Sequence, residues 1–130
     1  MFNDMRAAVG LQRAKTLRAD TFPTVTDVLR MATLGGAKAL DLGDRIGSLT
    51  PGKKADFMIV DPSSVNFAPN FDWVNQLVFN AQPSNVTFVF VDGRSLKANG
   101  PFTGLSMMEV VKTAEASAAR LRDVVRTPRK

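Results

Sequence analysis

Ile46-Gly47-Ser48-Leu49-Thr50-Pro51-Gly52-Lys53-Lys54-Ala55-Asp56-Phe57-Met58-Ile59-Val60-Asp61 is the stretch where the chain changes from helical to extended periodicity. Pro51-Gly52 is a turn signal: proline presets φ at the second position and glycine takes the positive φ that a type II turn requires at the third. Four consecutive apolar residues, Phe57 to Val60, then stand between two aspartates, and Pro62-Ser63-Ser64 ends the run. Apolar, β-branched and aromatic residues over that length predict a buried strand.

Upstream, the spacing predicts a helix from Asp4 to Leu17, with Met5, Ala8 and Val9 on one side and Ala7, Leu11 and Ala14 on another. So broad an apolar surface calls for more than one neighbour. Thr21-Phe22-Pro23 breaks it. Thr24 with Asp27 reads as a capping box that opens a second helix through Val28, Leu29, Met31 and Ala32. Gly35-Gly36 is expected to interrupt that helix, with a short one following from Ala37 to Leu40.

Downstream, Phe67 to Gln82 is ambiguous: Trp73, Val74, Leu77 and Val78 have helical spacing, but Pro69 and Pro83 confine it. Val86 to Val91 predicts a strand largely apolar on both faces. Asp92-Gly93 turns it into Arg94-Ser95-Leu96-Lys97, as a hairpin. Ser106 or Thr103 caps a last helix whose inner stripe runs Met108, Val111, Ala114, Ala118, Leu121, Val125. Three or four short strands, two of them apolar on both faces, cannot bury themselves in so small a sheet. The chain therefore reads as part of a larger structure.

Composition narrows the chemistry. At 45% apolar and 22% charged over 130 residues, the chain is that of an ordinary globular protein. It has no apolar run of membrane-spanning length and no signal-like h-region, since Asn3, Asp4 and Arg6 interrupt the start. There is no cysteine, which fits a cytoplasmic location. There is also no histidine, the commonest zinc ligand and general base. The 12 acidic residues are scattered singly, with no calcium loop, phosphate loop or nucleophile elbow. The net charge of +5 sits almost wholly in the last eleven residues, where Arg120, Arg122, Arg126, Arg129 and Lys130 are offset only by Asp123. That pattern is a solvated tail rather than a nucleic-acid surface.

Three ordered segments carry a resemblance. Met31-Ala32-Thr33-Leu34-Gly35-Gly36-Ala37-Lys38-Ala39-Leu40 is similar to a "MAT-x-x-GA-x-AL" helix pair. Ile46 to Asp61 matches "IG-S-L-x-x-GK-x-AD-hydrophobic-D", and Val89-Phe90-Val91-Asp92-Gly93-Arg94 matches a "V-x-V-x-G-R" hairpin. In this order and spacing they resemble the amidohydrolase superfamily, in its branch of chlorohydrolases and guanine, cytosine and methylthioadenosine deaminases.

The resemblance implies an α/β fold: the C-terminal part of a (β/α)8 metal-dependent hydrolase barrel plus half of the accompanying small β-sandwich. The implied divisions are terminal barrel helices over 1–45, a sandwich portion over 46–100, and a C-terminal helix and basic tail over 101–130. In such a parent, zinc or iron lowers the pKa of a bound water for attack on a purine, pyrimidine or triazine ring carbon. The implied ligands, four histidines and an aspartate, have no counterpart here. Asp4 directly precedes a helix, so it reads as downstream of the ligand.

No catalytic, cofactor or metal residue is therefore assigned. Asp56, Asp61 and Arg94 could form an acid pair with an anion clamp, but fixing strand ends by hydrogen bonding and ion pairing is the reading taken. Trp73 and Phe71 could stack on a base, against a core or domain-interface role. The expected function is an inactive fragment of such a hydrolase, the alternative being a stand-alone interaction module. The expected partners are further copies of the chain or the missing N-terminal part of the parent, without nucleic acid or membrane.

Overall fold

The sheet begins where the turn chemistry places it. In the computed structural model, which describes residues 1–126 and the side chains of 1–122, Lys53 N donates to Thr50 O at 3.1 Å and Gly52 has φ +91°. That is the type II turn. Upstream of it lie α1 (Phe2–Thr16), α2 (Val25–Arg30), a π-helical stretch (Met31–Gly35) and α3 (Gly36–Ala39). Downstream follow β1 (Phe57–Val60), α4 (Trp73–Phe79), β2 (Val86–Val91), β3 (Arg94–Ala98) and α5 (Met107–Arg126), with 3-10 turns at Val65–Phe67 and Pro83–Asn85.

α2 opens on the capping box. Thr24 Oγ1 accepts from Asp27 N, and Thr24 N donates back to Asp27 Oδ2 at 2.9 Å. The expected interruption at Gly35-Gly36 does not occur. Both glycines are helical, at φ −64° and −61°, and the chain runs from α2 into α3 by widening one turn. Two glycines cost propensity, about 1 kcal/mol each, but do not forbid the helix. A Cβ at Gly35 would lie 3.3 Å from Arg30 O, so glycine suits the widened turn. The ambiguous segment resolves as a short helix, α4, capped by Asp72 Oδ1 on Val74 N at 2.8 Å.

The sheet is antiparallel in the order β1-β2-β3. Asp92 and Gly93, at φ 51° and 76°, form the two-residue turn with both positive dihedrals that the right-handed strand twist favours. A bulge opposite Val60 pairs it with Val86 rather than Thr87. Bulges re-aim side chains, and Val60, Val86 and Val89 all reach the core.

That core is small. It joins Phe2, Met5 and Val9 of α1, Val25 and Val28 of α2, Phe67, Val78, Ala81 and Val86. Arg6 fastens α1 to the end of α4, donating through Nε to Val78 O at 3.1 Å and through Nη2 to Ala81 O. Carbonyls left free at a helix C-terminus are thereby satisfied by a cation. Among the described residues only one side of α1 finds a neighbour: Ala7, Leu11 and Ala14 are exposed. The stripe on α5 expected to face inward is also uncovered among the described residues, with Met108 82%, Val111 52% and Leu121 66% exposed. The side chain of Val125 and the last residues of the basic tail lie outside the described residues.

Candidate functional site

The acidic residues are each engaged locally. Asp56 Oδ1 accepts from Asp92 N at 2.6 Å, and Asp61 Oδ1 from Ser63 N at 2.9 Å. The two stand beyond opposite ends of β1, roughly 16 Å apart at the ordinary rise per strand residue. Asp92, in the turn between β2 and β3, pairs with Lys54, which precedes β1, at 2.6 Å. The hydrogen bond from Lys54 holds the Asp92 carboxyl below its usual range, helped by the nearby charges of Lys54, Arg94 and Arg45. The Ser63 amide does the same for Asp61. Asp56, Asp61 and Arg94 thus do not converge. The two carboxylates anchor strand ends and the exposed Arg94 opens β3.

Asp4 lies in the first turn of α1, exposed, its Oδ2 2.6 Å from the Met1 ammonium, which lowers its pKa. It borders an apolar groove of about 270 Å³ between α1 and the helix running on from α2, floored by Met5, Ala8, Val28 and Ala32. One carboxylate beside a methionine-rich groove has no second ligand to share an ion. Among the described residues no three His, Cys, Asp or Glu side chains come together as a metal site. With no imidazole or thiolate anywhere in the sequence, the residues present do not fit zinc.

Phe71 and Trp73 flank the Asp72 cap of α4 and are 91% and 59% exposed. The core half of their sequence reading is therefore corrected: the position a hydrophobic staple from Phe71 would pack on is the polar Gln76, and Val74, Leu77 and Val78 turn to the core instead. The motif residues are architectural. Gly47, at φ +88°, sits so close to the helix that a Cβ would come 2.7 Å from Ala37 Cβ. Lys53 Nζ donates to Gly43 O and Ile46 O, closing the loop before the strand. Sequence reading missed two polar organisers, Arg6 and Asn85. Buried Asn85 accepts from Gln82 N at 2.8 Å and from Asn66 Nδ2 at 3.0 Å. Arg6's carbonyl partners and Asn85's partner Asn66 are distant in sequence and leave no spacing pattern, whereas the Gln82 amide, three residues before Asn85, forms a local capping box that a sequence reading could have found.

Residues 1–96 match the amidohydrolase family. Over 127 residues the chain is 34% identical to a 5-methylthioadenosine/S-adenosylhomocysteine deaminase of Syntrophobacter fumaroxidans, covering 98% of this chain and 27% of that protein. It is 36% identical over 121 residues to a 5'-deoxyadenosine deaminase of Methanosarcina mazei, with 93% and 27% covered. A zinc-bound adenosine deaminase of Xanthomonas campestris superposes with a TM-score of 0.90 at 34% identity, over 95% of this chain and 28% of that one. The zinc-complexed atrazine chlorohydrolase TrzN of Arthrobacter aurescens shares the fold at 24% identity, with a TM-score of 0.81 over 89% of this chain and 26% of that one. The chain thus spans little more than a quarter of these relatives' length.

Proposed function

The chain belongs to the amidohydrolase family, and from that premise we propose that it is the C-terminal portion of a hydrolytic deaminase and supplies no catalytic group to it. The observation that carries this is a conjunction: a family match over most of the chain in a sequence without histidine or cysteine. The parent's zinc-type site and its acid–base groups belong to sequence outside these residues. What this chain contributes is scaffold, namely helices that pack on the barrel and strands that complete a sandwich beside it.

The substrate we propose for the parent is an aminopurine nucleoside, from which water displaces the ring amino group as ammonia. Support comes from the relatives above 30% identity, whose names specify adenosine-type nucleosides. The triazine enzyme falls below the identity at which more than fold transfers. A stand-alone interaction module is the second reading, favoured by the chain's having a core of its own.

The test joins the remainder of the Xanthomonas adenosine deaminase to this chain at the matching position and assays ammonia release from adenosine, 5'-methylthioadenosine and 5'-deoxyadenosine. The chimera is expected to turn over at least one of them while the isolated chain stays at the buffer blank. Turnover that follows the isolated chain through successive columns overturns the proposal.

A further inference from the structure

α5 runs for 20 residues, yet every one from Met107 to Arg122 is exposed. A helix of that length, about 30 Å, draws most of its stability from packing an apolar face. The face is written in the sequence: Met107, Val111, Ala114, Ala118 and Leu121 follow at steps of four, three, four and three residues. Steps averaging 3.5 are the a and d spacing of a coiled-coil seam, whose knobs mesh with another helix. Ala114 and Ala118, at the middle, let two helix backbones approach closely. An open groove of about 420 Å³ runs beside them along the Val110 and Ser117 side, between the helix and Gly104-Leu105.

The flanks of the seam choose the direction of that second helix. Glu115 and Arg122 lie on one flank and Val110 and Ser117 on the other. Two copies laid antiparallel about a two-fold axis at Ala116 set Val111 against the partner's Leu121 and Ala114 against the partner's Ala118. Each flank then faces its own counterpart. Because Cβ leans toward the helix N-terminus, Glu115 comes nearer the partner's Arg122 than the partner's Glu115, and the two-fold axis makes that ion pair twice. A parallel pair would put Val110 beside Glu115 and Ser117 beside Arg122, with no opposite charges facing.

We infer that α5 is a self-association helix, docking antiparallel on α5 of a second copy through this seam. The inference goes beyond the deaminase reading and does not rest on it, since α5 follows the residues 1–96 that match the family. Other occupants fit less well. A helix lying on a membrane surface pairs a strongly basic polar face with bulky aromatics, whereas α5 has four basic residues against three acidic and no aromatic. A contact inside the parent needs no self-complementarity, which is what a two-fold interface demands and what the seam and the Glu115 and Arg122 flank provide. One helix face is smaller than the about 800 Å² per partner of a standard interface, so the pairing is reversible and depends on concentration.

Disulfide cross-linking reads the pairing directly, because the sequence has no cysteine of its own. An equimolar mixture of the Ala114→Cys and Ala118→Cys chains, mildly oxidised, is expected to cross-link, and either chain alone is not. Sedimentation equilibrium supplies the second reading. Glu115→Arg and Arg122→Glu are each expected to raise the dissociation constant about three- to tenfold, and the two together in one chain to restore it. All four positions are exposed, so folding is not at stake. An Ala118→Cys chain that cross-links alone as well as the mixture does overturns the antiparallel seam. A dissociation constant unmoved by Val111→Lys with Leu121→Lys places association elsewhere and overturns the docking helix. Sedimentation of the chain with vesicles of phosphatidylglycerol and phosphatidylcholine, lost in the same lysine variant, assigns the face to a lipid surface and overturns the second copy. A covalent chimera with the Xanthomonas enzyme that deaminates but does not cross-link through these cysteines assigns the face to the parent, which overturns the occupant and leaves the functional reading standing.

Discussion

Gly47 shows how a single residue is bound to its fold. Its φ of +88° is costly for an L side chain, and an added Cβ would meet Ala37 Cβ at 2.7 Å and Thr33 O at 3.2 Å. Gly47→Ala is expected to destabilise by about 2–4 kcal/mol, combining left-handed backbone strain with overpacking. A urea titration checks it: the midpoint falls while the slope stays constant. Thr24→Ala removes half the capping box and is expected to cost about 1 kcal/mol. Acid sensitivity follows from Asp27, whose pKa is lowered by the hydrogen bond from the Thr24 side chain, then by the Thr24 backbone amide. Its folded value lies below its unfolded one, so its contribution is present above the unfolded value and is lost as pH falls through the folded value. Stability should therefore decline below about pH 4, and more shallowly in Asp27→Asn. Between roughly pH 5 and 8 it should be nearly flat, because no His or Cys is present to titrate. Thermal melts across pH read both limbs. At this scale the caps and turns were legible in the sequence because each is written in neighbouring residues. Arg6 was not, since the carbonyls it satisfies are brought close only by the tertiary fold; the capping box of Gln82 and Asn85 is local and was missed, while the Asn66 contact to Asn85 also needs the fold.

Elements were legible to the extent that local chemistry outweighs context. The capping box, the type II turn and the Asp92-Gly93 hairpin all formed where their residues demanded. The glycine pair did not break its helix, because the backbone ladder continues through it, the Gly36 amide donating to Met31 O, and glycine's propensity cost alone does not forbid a helix. α4 was ambiguous because its residues suit helix or strand, and the Asp72 cap, an aspartate two residues before Val74, decides for helix. α5 is the opposite case. Its cap was one of the two proposed, with Glu109 N donating to Ser106 Oγ at 3.4 Å, and its apolar spacing is plain, yet among the described residues nothing covers the stripe. Periodicity says that a face is to be buried and not by what. Replacing Val111 and Leu121 together by Lys should leave the helical far-UV signal of the isolated chain unchanged, because both side chains already face solvent. The same pair should lower the stability of the covalent chimera if α5 packs on the parent.

For the whole molecule, the fold was legible through three short motifs whose order and spacing recur in a known family, not through any stability argument. The chain closes one modest core and leaves apolar surface on α1, on β1 and along α5. Surfaces of that kind favour association. We expect the isolated chain to form dimers or larger species as its concentration rises, read by light scattering over a dilution series. The Val111 and Leu121 lysine variant is expected to shift the midpoint of that association to higher concentration. A chain that stays monomeric, soluble and cooperatively folded at high concentration favours the stand-alone module.

The claim on which the account stands is that these residues shape a deaminase without ligating its metal, and metal content tests it most directly. After dialysis against a chelator and then against trace zinc, elemental analysis should find no stoichiometric zinc on the isolated chain and about one zinc per covalent chimera, the single open site of a catalytic zinc centre. One tightly held zinc per isolated chain, surviving the chelator, would contradict it.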